Sequence, residues 1–151
     1  MAKQSAGILM YRKQAGGLEV LLVHPGGPFF ARKDAGSWTI PKGEYPESEA
    51  PLDAAIREFE EETGYRPSGK FIPLRPVKQK GGKVVQCWAV SGTLDPAHIV
   101  SNTFELEWPP RSGKKRTYPE VDRAAWFSLA DARQMMNERQ TAFLDELETL
   151  V

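Results

Sequence analysis

Two linked stretches decide the fold: Gly43-Glu44-Tyr45-Pro46-Glu47-Ser48-Glu49 and, seven residues further on, Arg57-Glu58-Phe59-Glu60-Glu61-Glu62-Thr63-Gly64-Tyr65. Pro51 suits the first turn of a helix and Gly64 suits a left-handed C-terminal cap, so the intervening chain is predicted to be helical over 51–63. At about 100° per residue, with Leu52 at zero, Ala55, Ile56 and Phe59 gather within about 60° of that origin as the stripe expected to be buried. Glu61, Glu58 and Glu62 fall at roughly 180°, 240° and 280°, and Glu60 turns away. Three carboxylates spaced i, i+3 and i+4 repel one another by some tenths of a kcal/mol per pair unless a positive charge sits among them. Hard divalent cations take oxygen ligands, and such a face is a platform for them. Ala54, one turn before Glu58, is expected to leave that space open. Taken alone, an acidic run reads more readily as a solvated helix face; its surroundings decide between the two.

The 151 residues carry 20 basic and 20 acidic side chains, and this zero net charge hides a segregated pattern. Lys42–Tyr65 holds eight acids and two bases, a balance of −6, whereas Arg66–Lys83 holds six bases and no acid, and Arg111–Arg116 adds four bases. Such a distribution brings a cation and a polyanion together. Neutrality argues against a chain built mainly to grip nucleic acid, DNA included, and the longest apolar runs, such as Val20-Leu21-Leu22-Val23, fall far short of the roughly 18 residues of a membrane span. A single cysteine, Cys87, and no apolar N-terminal signal point to a reducing, cytoplasmic setting, with Cys87 a core thiol. A chain of this length buries roughly 70% of its unfolded surface and needs no disulfides. One domain, 1–151, as a monomer or homodimer, is expected.

Strands are predicted at 7–11, 19–24, 38–40, 71–77, 84–90 and 124–127, with Gly81-Gly82 closing a hairpin. Ser128 with Asp131, then Asn137 with Gln140, read as caps of one short helix followed by another carrying Phe143, Leu147 and Leu150. Strands interrupted by one helix and followed by helices imply a mixed sheet covered by helices.

The quoted stretches resemble the signature of the Nudix hydrolases at every charged and glycine position, with nine fixed or semi-fixed positions over 23 residues and two of them loose. Phe59 and Tyr65 are aromatic where that family carries aliphatic residues, a difference of packing. Trp38-Thr39-Ile40-Pro41-Lys42-Gly43 and Trp126-Phe127-Ser128-Leu129-Ala130-Asp131-Ala132 extend the resemblance over residues 5–135 or so. It implies an α/β (α+β) fold, an α/β/α sandwich whose mixed sheet is flanked by helices, with the motif on a loop-helix-loop. It implies hydrolysis of a nucleoside diphosphate derivative by water attack on phosphorus, with Mg²⁺ or Mn²⁺ to neutralise phosphate oxygens and align the groups.

By the same resemblance Glu58, Glu61 and Glu62 are metal ligands, with Glu61 also catalytic and Arg57 orienting the carboxylates. Gly43, Glu49 and Gly64 are structural positions of the motif. Glu120 is a second candidate base, six residues before Trp126, although Glu120 and Asp122 read equally well as ordinary loop acids. Lys42, in the Pro-Lys-Gly lead-in, is the expected phosphate contact. Arg32, Lys33 and Arg111–Arg116 extend the cationic track, and Phe29, Phe30, Tyr45 and Tyr118 offer stacking surfaces for a base, whereas Trp88 and Trp126 read as core.

Gly81, Gly82 and Lys83 stand where diadenosine polyphosphate hydrolases carry a tyrosine and ADP-ribose hydrolases a proline, so neither subfamily mark is met. The lead-in and the basic segments favour a nucleoside or dinucleoside polyphosphate. The Trp108–Gly113 loop with Pro119-Glu120-Val121-Asp122 resembles a bacterial group of predicted nucleoside triphosphate pyrophosphohydrolases. Alternatives are a broad triphosphate sanitiser, an RNA 5′-pyrophosphohydrolase and a non-catalytic nucleotide sensor.

Overall fold

The computed structural model describes residues 3–151, and its sheet is built around β1 (Gln4–Gln14). β1 runs parallel to β6 (Val84–Ser91) and antiparallel to β2 (Gly17–Pro25), with β9 (Val121–Ser128) outside β2. β4 (Ile72–Pro73) and β5 (Val77–Lys78) lie antiparallel along β6, and β3 (Lys42–Glu44) pairs with Ser5–Gly7 of β1. The sheet is mixed, as expected.

Side chains alternate across this sheet, so each strand serves two cores. Ala6, Ile8, Met10, Leu21 and Val90 meet Ala54, Ala55 and Phe59 of α1 (Pro51–Thr63). On the opposite side Leu9, Val20, Leu22, Val85, Cys87 and Ala89 meet Ala132, Met136, Phe143, Leu144 and Leu147 from α2 (Leu129–Met135), α3 (Ala142–Leu150) and their junction. Coverage of both faces explains why the middle of β1 is a continuous apolar run. It also makes Cys87 the core thiol expected, with its pKa raised by burial. α2 begins as its cap predicts, the Ser128 hydroxyl accepting the Asp131 N–H at 3.2 Å, whereas Asn137 caps only a 3-10 turn over Glu138–Gln140, accepting the Arg139 N–H at 2.9 Å, and α3 starts later, at Ala142, with no side-chain cap on Thr141. None of the described helices is long and apolar enough to cross a membrane.

Several elements differ from expectation. The single strand at 71–77 is two short ones, because Pro73 and Pro76 have no N–H to donate to β6. Trp38 and Thr39 form isolated bridges to Met136 and Val23, and Ile40 donates its N–H to the buried Gln140 side chain at 3.0 Å, so 38–40 is a crossing segment. Leu150 is exposed and Leu144 takes its place in the core, whereas Trp88 and Trp126 are only partly buried. The buried arc of α1 is rotated toward the acids: Ala54 is in the core, Glu62 is buried, and Leu52 and Ile56 are half-exposed. Thr103–Glu107 (β7) and Lys115–Pro119 (β8) form a separate hairpin in a region read as loop, and Lys115 and Arg116 lie on its second strand.

Phe143 is fully buried in the core opposite α1. Phe143→Ala should therefore cost about 3–5 kcal/mol, read as a lowered urea midpoint with an unchanged slope.

Candidate active site

The acidic face of α1 is roofed by β3. Gly7 allows this approach, since a Cβ there would stand 2.5 Å from the Pro41 carbonyl and 2.7 Å from Lys42 Cβ. Gly43 faces α1, and any side chain on it would overlap the Glu58 carboxyl. Just past the far end of the helix Gly64 adopts φ 83° and donates its N–H to the Glu60 carbonyl at 2.8 Å, stopping α1 at Thr63.

Arg57 organises the carboxylates. Its Nε and Nη2 donate to the two oxygens of Glu49 at 2.8 and 2.9 Å, and its Nη1 donates to Glu58 at 3.1 Å and Glu61 at 2.9 Å. These bonds raise the pKa of the guanidinium, Glu49 contributing most, and lower that of the Glu49 carboxyl. Glu58, Glu61, Glu62 and Glu120 line one cavity of about 420 Å³ with Lys42, Gly43, Glu44, Lys83 and Asn102. Burial is the largest cause raising the Glu58 carboxyl pKa, with Glu61 adding repulsion. Burial and then Glu58 push Glu62 up to about 8 against the pull of Lys42, and burial with Glu61 raises Glu120. Lys42 is lowered by burial and by Lys83, while Glu62, Glu44 and Glu58 oppose that shift.

The donor set is all oxygen and more negative than its two lysines neutralise, which is the chemistry a hard divalent cation fits. As arranged here, among the described residues no three His, Cys, Asp or Glu side chains form a group that could hold an ion, and Arg57 engages oxygens of Glu58 and Glu61.

A second cavity of about 560 Å³ shares Lys42, Glu62 and Glu120 with the first and continues past Phe30, Lys33, Asp34, Ser37, Thr39, Gln79 and Val121. The loop that forms its wall is pinned by His24, buried in β2, which bonds Asp122 at 2.8 Å and the Lys33 carbonyl at 2.6 Å. Trp38 donates its indole N–H to Asp34 at 2.7 Å.

Of the residues expected from sequence, Lys42, Gly43, Glu58, Glu61, Glu62 and Glu120 come together, and Arg57 with Glu49 braces them. Phe30 and Lys33 line the second cavity, but Arg32, Tyr45 and Tyr118 line neither. Tyr45 instead accepts a hydrogen bond from Gln86 at 2.8 Å, and the Tyr118 ring lies 6.0 Å from that of Phe104. The structure also separates Glu120, on the cavities, from Asp122, which serves His24. Asn102 was missed. No local pattern marks it, and it reaches the site because its N–H donates to the Glu61 carbonyl at 2.7 Å. Asp34, Ser37 and Gln79 were missed for the same reason: loop paths bring them in.

The family model for the NUDIX domain matches residues 1–147. Among solved structures, the chain is similar to a C. elegans Ap4A hydrolase binary complex, with a TM-score of 0.66 and 22% identity over 97% of this chain and 96% of that one. It is similar to the NUDIX domain of Shewanella oneidensis NrtR complexed with ADP ribose, with a TM-score of 0.69 and 19% identity over 100% and 90%. The M. smegmatis Nudix hydrolase RenU aligns with a TM-score of 0.59 and 22% identity over 98% and 84%. The chain therefore belongs to the Nudix family and is a hydrolase acting on acid anhydrides, a family whose members typically use divalent metals.

Glu62 supplies a test. With an ordinary pKa near 4.5 when unfolded and about 8 when folded, the native state holds the extra proton between those values. Stability of the metal-free protein should then fall as pH rises from about 4.5 toward 8. Glu62→Gln should flatten that slope in urea titrations at several pH values; an unchanged slope would remove Glu62 as its source.

Proposed function

We propose that the chain hydrolyses a phosphoanhydride bond of a nucleoside or dinucleoside polyphosphate, with Mg²⁺ or Mn²⁺, by water attack on phosphorus. The observation that carries this reading is the shared wall of the two cavities. Lys42, Glu62 and Glu120 belong to both, so a phosphate chain crossing from one to the other passes a cation and the carboxylates together.

In this reading Glu58, Glu61 and Glu62 would hold the metal, and the chemistry it would supply is neutralisation of phosphate oxygens and alignment of the reacting groups. Arg57 keeps Glu58 and Glu61 at fixed positions and is itself fixed by Glu49. Lys42 offers its ammonium as a point charge to a phosphate oxygen. Glu120 is the general base: although its side chain stays exposed, partial burial and the Glu61 charge raise its pKa above the ordinary glutamate value, and its backbone is held at both ends, N–H to Asn102 and carbonyl to Gly26, each at 2.9 Å. The nucleoside occupies the second cavity, where Phe30 supplies a stacking face and Asp34 and Ser37 supply polar contacts.

Turnover of a panel of nucleoside and dinucleoside polyphosphates, with products separated chromatographically, tests this directly. A dinucleoside polyphosphatase yields two nucleotides, a triphosphate sanitiser yields a monophosphate and pyrophosphate, and absence of turnover across the panel with either metal contradicts the proposal. Glu120→Gln should lower kcat by about 100-fold or more with KM little changed; full turnover with the same metal dependence would transfer the base role to the α1 carboxylates.

A further inference from the structure

His24 is fully buried, and each of its ring nitrogens meets an oxygen: Nδ1 lies 2.8 Å from Asp122 Oδ1 and Nε2 lies 2.6 Å from the Lys33 carbonyl. A carbonyl only accepts, so Nε2 carries a proton. Nδ1 faces a carboxyl group, and a proton shared by the two belongs to the imidazole, the stronger base. The Asp122 side chain is 33% exposed and has the Arg123 Nε 3.7 Å from the same oxygen, and both features favour its anion. With an acceptor at each nitrogen, the ring is satisfied only when both are protonated. A charge buried this deeply has to be paired, and Asp122 is its pair.

The other charged groups on the elements around the ring divide in their effect. Arg123 lies over the Trp38 ring at 5.2 Å and opposes the charge, whereas Asp34, bonded by the Trp38 indole N–H, favours it. The Lys33 ammonium stands over the Phe30 ring at 5.5 Å, and Glu120 faces the cavities. On the 3-10 turn Pro96–His98, which packs against β9, His98 is paired with Asp95 at 2.8 Å.

The two bonds of His24 hold different parts of the molecule. Asp122 belongs to β9, which the β2 ladder already fixes. Lys33 belongs to the loop after β2, whose far end is anchored by the Gly36 N–H to the Gln134 carbonyl at 3.1 Å and the Trp38 N–H to the Met135 carbonyl at 3.0 Å. The nearer turn, Phe30–Lys33, closes on itself through the Lys33 N–H and the Phe30 carbonyl at 3.0 Å. Among the hydrogen bonds of the described residues, only the one from His24 ties that turn to the sheet. Phe30 and Lys33 line the second cavity.

When the ring gives up one proton, the other stays toward the carboxylate, the stronger acceptor. Nε2 then turns a lone pair to the Lys33 carbonyl, and the bond that is lost is the one holding the cavity wall. We infer that His24 is a positioning residue whose second proton fixes the Phe30–Lys33 turn and so keeps the second cavity in shape for the nucleoside, whose placement there rests on the hydrolase reading above. The tie is present at low pH and is lost as pH rises through the deprotonation of the ring.

Asp122→Asn separates this role from a merely structural bond. Its amide can donate to Nδ1, which sends the single proton of a neutral ring to Nε2 and keeps the Lys33 bond. The chain has two histidines, so long-range ¹⁵N–¹H NMR reads the His24 nitrogens directly against the exposed His98. In the wild type the proton lost on raising the pH should be the one on Nε2, and hydrogen-exchange protection of the Lys33 amide, corrected for intrinsic rate, should fall about tenfold in step with it. Across the same pH range Asp122→Asn should keep its Nε2 proton and a flat protection profile. On the nucleotide with the highest turnover, the wild-type KM should rise about tenfold relative to that of Asp122→Asn, with the two kcat values moving in parallel. A neutral wild-type ring protonated on Nε2, or Lys33 protection indifferent to the second proton, would overturn the inference, and both are read without the variant. KM values that change alike in both chains would show that the nucleoside does not rest on this wall and overturn that half of it. Absence of turnover on every polyphosphate would remove the hydrolase reading, while the ring and exchange measurements still decide whether the proton holds the turn.

Discussion

The geometry of the site depends on one guanidinium. Arg57 is the only cation on α1, and it divides its donors among Glu49 before the helix and Glu58 and Glu61 along it. Without it, carboxylates one turn apart would repel and the loop ahead of the helix would lose its two-point attachment through Glu49. The arrangement also explains why Glu58 and Glu62 stay near the core while ionisable. α1 must bury Ala54, Ala55 and Phe59 against the sheet, and the helical repeat then carries Glu58 and Glu62 inward on the adjoining arc. Burying them raises their pKa values, so each holds its proton more tightly than an exposed glutamate does.

Close backbone approach is the second requirement. β3 reaches the carboxylates because neither Gly7, beneath it, nor Gly43, facing α1, carries a side chain. That contact sets Lys42 on the shared wall of the two cavities, beside the carboxylates that α1 presents.

The sequence displayed these features unevenly. The acidic helix could be read to its end residues, because Pro51 and Gly64 mark it and the glutamates repeat at helical spacing. Its exact rotation could not: Ala55 and Phe59 are buried as the stripe implies and Leu52 packs against the same core, but the buried arc extends to Ala54 and Glu62 and leaves Ile56 only partly covered, because close packing against β1 favours the small residue. The β7–β8 hairpin escaped notice because Glu105, Glu107, Lys115 and Thr117 face solvent and Trp108-Pro109-Pro110 reads as a breaker. Glu120 and Asp122 looked alike as loop acids. Only the turn between β8 and β9 sends one to the cavities and the other to His24.

A braced carboxylate cluster, a partly buried lysine beside it and a second cavity beyond are the features on which the proposed attack of water on phosphorus, aided by a divalent cation, rests. The most direct measurement is hydrolysis of the best nucleotide substrate in ¹⁸O-labelled water, with and without Mg²⁺, followed by mass analysis of every product. The account predicts one label per turnover, carried on a phosphate product and acquired only when the metal is present. Label absent from every phosphate, or incorporation that continues at the same rate after chelation, would contradict it.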